Sequence, residues 1–259
     1  MKKIFSIIAV CAMTIAANAQ IVSSSSRGFV AEEFPNYSRI FVSYSPMSFS
    51  GDASKSYDSD DEELDNPFSN TAGGFTLGWL GGWSISKTMP LYIEGGLNIK
   101  YNHWSDEISD GDSGTYYGSN TYSWSETVKS SMTFLSLNVP INISYNYSIP
   151  GVDGLSIAPY LGLHLTGNII GSAKAEWEYE SYTNGKLDYS DGGDEDRNFF
   201  DEDDMGKDNT ANRFQIGWQI GVGLNYKKLY LGVGYSSEFT EYAKKLNTGG
   251  VTLTLGLNL

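Results

Sequence analysis

Between positions 91 and 101, every odd residue is apolar, aromatic or glycine (Leu91, Ile93, Gly95, Leu97, Ile99, Tyr101), while Glu94, Asn98 and Lys100 fall between them. Successive side chains of a β-strand point to opposite faces, so this segment is read as a strand with one greasy side and one wet side. The pattern recurs: Leu155, Ile157, Leu161, Leu163 and Leu165 alternate with Ser156, Tyr160, His164 and Thr166, and Phe214, Ile216, Trp218, Ile220, Val222 and Leu224 alternate with Gln215, Gln219 and Asn225. Eight such segments are predicted, at about 38–49, 74–86, 90–103, 131–147, 155–172, 212–226, 229–237 and 249–259. Their predicted outward sides carry no charge; the last, for example, turns Val251, Leu253, Leu255, Leu257 and Leu259 outward.

The connections alternate. Those after the second, fourth and sixth segments are short, for instance Lys227-Lys228, whereas those after the first, third and fifth are long. Short turns on one side and long loops on the other, with an even strand number, are the pattern of an up-and-down transmembrane β-barrel. The expected fold is therefore all-β: an antiparallel eight-stranded barrel with long acidic extracellular loops and short periplasmic turns. Ten strands is the alternative, if the hairpins predicted around Asn184-Gly185 and Gly118-Ser119-Asn120 entered the wall. Their acidic and amide-rich faces argue instead for sheet extending above the membrane.

The N-terminus reads as a secretory signal. Met1-Lys2-Lys3, an apolar run over 4–17, and Ala17-Asn18-Ala19 before Gln20 predict cleavage near Ala19. The run is short for a membrane anchor. A lipoprotein reading through Cys11 is disfavoured by bulky Val10 before it. The expected organisation is a signal peptide at 1–19, a periplasmic lead-in at 20–36 and the barrel at 37–259. Without Cys11 the mature chain has no cysteine, which excludes disulfides and thiol chemistry.

Charge sharpens the sidedness. Of 31 acidic residues, seven lie within 52–65, five within 106–126 and thirteen within 176–208, all in long connections. The net charge of -14 thus belongs to the loops, and no basic nucleic-acid surface is present. Tyrosine and tryptophan favour membrane interfaces, and Trp83, Tyr145, Tyr147 and Tyr226 are expected to form the periplasmic girdle. Eight strands enclose an interior just wide enough for side chains to fill. The predicted lumen cluster is Arg39, Glu94, Lys100, His164 and Arg213, with Arg39 and Glu94 low and the other three higher. The charges are read as mutually compensating, with a basic upper vestibule as the sharper alternative.

No catalytic, cofactor or metal site is predicted. His103 with Ser105, Asp106 and Glu107 lacks a nucleophile and oxyanion constellation, and the acidic runs at 58–65 and 191–208 lack the spacing of a calcium loop. The stretches Leu135-Ser136-Leu137-Asn138-Val139-Pro140-Ile141-Asn142-Ile143, Ala158-Pro159-Tyr160-Leu161-Gly162-Leu163 and Gly221-Val222-Gly223-Leu224-Asn225-Tyr226 resemble the PorT-like, porin-family small outer-membrane barrels, although the chain ends in Leu259 where such barrels commonly end in an aromatic residue. The resemblance implies an outer-membrane location and no defined reaction. The expected role is a non-enzymatic structural or surface-interaction barrel with at most narrow permeability; a loop-gated solute channel and a secretion-apparatus component are the alternatives. Expected partners are outer-membrane lipid and lipopolysaccharide, with the barrel assembly machinery during biogenesis. The chain is expected to be a monomer.

Overall fold

The computed structural model describes residues 34–51, 71–87, 89–116, 120–207 and 209–259. The predicted signal peptide, most of the predicted lead-in and the acidic stretch 52–65 lie outside the described residues. Among the described residues eleven strands are present: β1 (Tyr37–Tyr44), β2 (Met47–Ser50), β3 (Thr71–Ser84), β4 (Leu91–Tyr116), β5 (Asn120–Tyr145), β6 (Tyr147–Ser148), β7 (Leu155–Thr183), β8 (Lys186–Asn198), β9 (Phe214–Tyr226), β10 (Leu229–Glu238) and β11 (Asn247–Asn258).

Eight of them close a ring. Antiparallel pairing runs β1-β3-β4-β5-β7-β9-β10-β11 and back to β1, so no long edge is left open in the wall. The closing seam pairs Arg39 with Asn258 and Tyr44 with Leu253, while β1 on its other side pairs Tyr44 with Phe75. Closure is what hydrocarbon demands, because every strand edge facing lipid would leave peptide groups without partners. β2 continues β1 after a break at Ser45-Pro46 and touches the same two neighbours, β3 and β11. Proline at the break supplies no N–H to either ladder.

The wall is apolar outside and polar inside. Phe75, Leu77, Ile141, Ile143, Leu161 and Leu253 are exposed, whereas Arg39, Glu94, Asn142, His164, Gln215 and Asn225 are buried. This reverses the distribution of a water-soluble protein. Trp83, Tyr145, Tyr147 and Tyr226 are exposed at the end where the short turns lie. Toward the other end Tyr44 and Phe75 meet edge-on at 5.8 Å, and Tyr101 follows in register with Phe75. Along β4 the two levels, marked by Ile93 beside Trp83 and by Tyr101, are eight residues apart. At about 3.4 Å per residue and a tilt near 40°, that is roughly 20 Å of apolar wall, close to the height of a bilayer band.

Three predicted strands run much further than expected. β4 and β5 keep one register from Leu91–Tyr145 up to Tyr116–Asn120, with the pairing interrupted at Gly96 and Leu97 inside the wall, and above it the predicted long loop is a continuous hairpin. Its tip, 117–119, lies outside the described residues. β7 accompanies β5 as far as Tyr122–Thr183, and β8 adds to β7 from Ser172–Asn198 upward. The turn between them has Asn184 at φ 52° and Gly185 at φ 72°, the paired left-handed conformation that a two-residue hairpin needs and that Asn-Gly favours. A four-stranded sheet β4-β5-β7-β8 thus continues beyond the barrel. The wall remains eight-stranded, and the ten-strand alternative does not hold: β8 pairs with β7 only where β7 has already left the wall.

Candidate functional site: plugged lumen, apolar lid and protruding sheet

The lower lumen is filled by Arg39 and a ring of tyrosines. The Arg39 guanidinium lies 3.4 Å from the centroid of Tyr230 and 5.3 Å from that of Tyr37, donates from Nε to Asn258 Oδ1 at 2.9 Å, and donates from Nη2 to Asn225 Oδ1 at 3.2 Å. The Tyr37 hydroxyl donates to Glu94, which also accepts from Asn142 Nδ2 at 3.1 Å; Gln219 Nε2 donates to Asn142 Oδ1 at 2.6 Å. Glycine is required where these rings approach the wall: a Cβ on Gly223 would stand 2.7 Å from Cζ and Oη of Tyr230. Charge in a low-dielectric space is tolerable here because each group is hydrogen-bonded or stacked.

A second chain of polar contacts lies higher. Asn98 Nδ2 donates to Asn138 Oδ1 at 3.3 Å, Asn138 Nδ2 to Thr166 Oγ1 at 3.1 Å, and Thr166 Oγ1 to Glu238 Oε1 at 3.1 Å. His164 Nε2 sits 2.9 Å from the same Glu238 oxygen. Lys100, His164, Glu94 and Arg39 all line one cavity of about 150 Å³, so four of the five predicted lumen residues share it. That volume has room for several waters.

Arg213 is the exception. It precedes β9, is exposed, and stands over the Phe200 ring at 4.4 Å instead of lining the cavity. The strand begins two residues later than the sequence pattern suggested, at Phe214. The acidic residue of the upper lumen is Glu238, which the sequence reading left out by ending the strand at 237. Inward parity along β10, through Tyr230, Gly232, Gly234 and Ser236, points to it.

Above the polar lumen the inward faces turn apolar. Met47, Ala72, Trp104, Phe134, Ala211 and Tyr242 form a buried cluster, against which Phe49, Met132, Phe199, Phe200 and Leu246 pack. Phe134 is central, with Phe49 at 5.6 Å, Phe199 at 5.7 Å and Tyr242 at 6.0 Å. Phe199 and Phe200 come from beyond the wall. The acidic run after them folds into a single helical turn, Glu202–Met205, capped by Asp201, whose side chain accepts from Asp203 N; Asp204 accepts from Asn198 N at 2.8 Å and turns the chain back. Burial of Tyr242 raises its phenol above the ordinary value. This lid was missed in the sequence, yet the signal is present: along β1–β2, β4 and β5 the inward residues change from Ser43, Lys100 and Ser136 to Met47, Trp104 and Phe134.

His103 faces outward, stacked with Tyr101 at 6.5 Å, and its Nδ1 is 3.1 Å from Thr133 Oγ1. Of its acidic neighbours in sequence, Asp106 lies on the opposite strand face and Glu107 is 3.8 Å from Lys129. Among the described residues, no three His, Cys, Asp or Glu side chains are grouped to hold a metal ion.

The protruding sheet has two different faces. Outward, Lys174 lies 2.6 Å from Glu176, a pairing that raises the lysine and lowers the carboxylate, and Tyr182 donates to Glu180 at 2.8 Å. The lumen-side face carries Trp124, Tyr179 and Tyr189 as a ladder, with ring centroids 6.3 and 6.1 Å apart. The Tyr189 hydroxyl donates to Asp191 at 3.1 Å, which raises the phenol.

The protein is a transmembrane β-barrel. No family model and no curated protein matches the chain, so the PorT-like resemblance stands on the strand sequences alone. Solved structures similar to it include the attachment invasion locus protein Ail of Yersinia pestis in complex with the heparin analogue sucrose octasulfate (10% identity, 87% of this chain and 100% of that one, TM-score 0.38). Neisserial surface protein A is similar at 12% identity over 86% of this chain and 96% of that one, TM-score 0.32. So is the N-terminal β-barrel domain of Pseudomonas aeruginosa OprF, at 11% identity over 87% and 100%, TM-score 0.26. The closed ring and its inverted polarity are what make the chain a barrel.

Proposed function

We propose that this barrel resides in a bacterial outer membrane and carries a surface-interaction sheet, with a lumen closed to solute passage. The observation that carries the reading is the stacking of two seals, the Arg39–Glu94 polar network below and the Phe134-centred apolar lid above. A conducting pore of this strand number would need both displaced. Among the described residues, the paired sheet β4-β5-β7-β8 continues beyond the wall and is not needed to close it. The signal-like N-terminus and the acidic loops support the same orientation, with the sheet outside.

Planar-bilayer recording on the purified chain tests this reading. The expected record shows no steady openings. Steady openings altered by Lys100→Ala or His164→Ala would favour the loop-gated channel instead. Identical gel mobility before and after boiling would overturn the closed barrel itself.

A further inference from the structure

The lumen-side face of the protruding sheet combines two features that no lumen or wall function uses. Cross-strand register lays its side chains out in rows. One row reads Ile108, Val128, Trp177 and Gly193; the next reads Asp110, Glu126, Tyr179 and Asp191; the third reads Asp112, Trp124, Ser181 and Tyr189. Apolar and aromatic groups are thus interleaved with carboxylates at the spacing of neighbouring strands, about 5 Å. Trp177 lies across Gly193, where any Cβ would stand 2.7 Å from Cη2 of the indole, so the ring lies along the sheet. Ile108, Tyr122, Trp177 and Tyr189 remain exposed, and among the described residues nothing packs over them.

A contiguous exposed aromatic face rimmed by polar groups marks an interaction surface. Its charge identifies the kind. Asp110, Asp112, Glu126 and Asp191 surround the rings, and Arg197, lower on β8, is already engaged with Glu195 at 2.8 Å. Aromatic faces bordered by carboxylates attract ammonium and guanidinium groups twice over, through the ring quadrupole and through Coulomb attraction. The chain's own segment 52–70 is a poor occupant, because its seven carboxylates face one lysine, Lys55. A second copy presenting the same face is disfavoured for the same reason.

We propose that this face docks a Lys/Arg-rich polypeptide segment, with Trp124, Trp177 and Tyr179 as platforms for its cationic side chains and Asp110, Glu126 and Asp191 as counter-charges. The proposal rests on the surface-interaction reading above and names the chemistry of its partner.

The test is fluorescence anisotropy of labelled deca-lysine titrated with the full chain in detergent micelles, and in parallel with an uncharged chito-oligosaccharide probe. Deca-lysine should bind, and binding should weaken as salt rises. Trp124→Ala/Trp177→Ala/Tyr179→Ala should weaken it at least tenfold, Tyr179→Phe should leave it within twofold, and Asp110→Asn/Glu126→Gln/Asp191→Asn should weaken it at least tenfold. Glu176→Gln/Glu178→Gln/Glu180→Gln removes the same charge from the opposite face and should leave it within twofold. Heat-modifiable mobility of each variant reports the barrel separately. The proposal is overturned if deca-lysine does not bind a heat-modifiable barrel, if both acidic triples lose binding equally, if the aromatic triple binds normally, or if only the oligosaccharide binds. Loss of heat-modifiable mobility in the parent chain would instead refute the barrel reading on which the proposal stands.

Discussion

Substituting Gly223 by alanine tests whether the lower lumen is a rigid plug. The new Cβ would fall inside contact distance of the Tyr230 ring, at 2.7 Å from Cζ and Oη. The ring cannot swing away freely, because Arg39 lies 3.4 Å above it and is itself tied to Asn225 and Asn258. Overpacking of this kind costs about 1–3 kcal/mol, and disturbing a desolvated guanidinium–ring contact adds roughly 2 kcal/mol. Removing a glycine from a strand returns about 0.5–1 kcal/mol of backbone entropy. The net expectation is a loss of about 2–4 kcal/mol. Gly167→Ala is the control, since a Cβ there lies 3.9 Å from Leu137 O and Phe214 Cε1, an ordinary contact, and the entropy term should make it neutral or slightly stabilising. Urea unfolding of liposome-inserted protein, followed by gel mobility and extrapolated linearly, reads both. In the double variant Gly223→Ala/Tyr230→Ala the penalty should be less than the sum of the singles, because the clashing ring is gone. Equal stability of Gly223→Ala and Gly167→Ala, or strict additivity with Tyr230→Ala, would refute a packed plug.

Leu253→Arg places a charge on the lipid face and should destabilise the inserted barrel by about 2–4 kcal/mol in the same unfolding assay, whereas Thr254→Ser, one residue along and facing the lumen, should change little. Phe134→Ala removes the centre of the lid but leaves the Arg39–Glu94 network below it in place, so bilayer recordings should stay as silent as the parent's; steady conductance events would show that the lid alone seals the lumen. Gly185→Val forces a β-branched residue to φ 72° and should expose the β7–β8 hairpin to proteinase K while the barrel band stays heat-modifiable; loss of the folded barrel would show that the sheet is not separable from the wall. Glu94→Ala removes the acceptor of both Tyr37 and Asn142 and should cost about 2–4 kcal/mol, with Glu94→Gln recovering part of it.

The wall was legible in the chain because a strand between lipid and lumen obeys one local rule. Leu91 to Tyr101 alternates since each successive side chain meets a different solvent, and the eight segments so found are the eight that close. The exposure of Trp83, Tyr145, Tyr147 and Tyr226 at the short-turn end follows from the same parity plus the position of those turns. The rule weakens beyond the membrane, where neither face must be apolar. That is why β4 and β5 were cut short at 103 and 131, although Asn184-Gly185 still announced its turn. Arg213 keeps the parity of the inward residues, and its carbonyl still accepts from Asn168 N at 2.7 Å, but its guanidinium lies over the Phe200 ring instead of lining the cavity, a contact that parity along one strand does not record.

Sequence alone determined the two-faced alternation of the wall strands and the placing of acid in the long connections, because these follow from spacing along a single strand; ring closure decided between eight wall strands and ten. Tertiary structure decided which inward residues meet. The partnership of Arg39 with Tyr230, the convergence of Glu238 on His164, and the gathering of Phe49, Phe134, Phe199 and Tyr242 into a lid join residues separated by tens to hundreds of positions. Their distances are set by ring closure and strand register, which fix how inward faces meet across the lumen and which no alternation within one strand records.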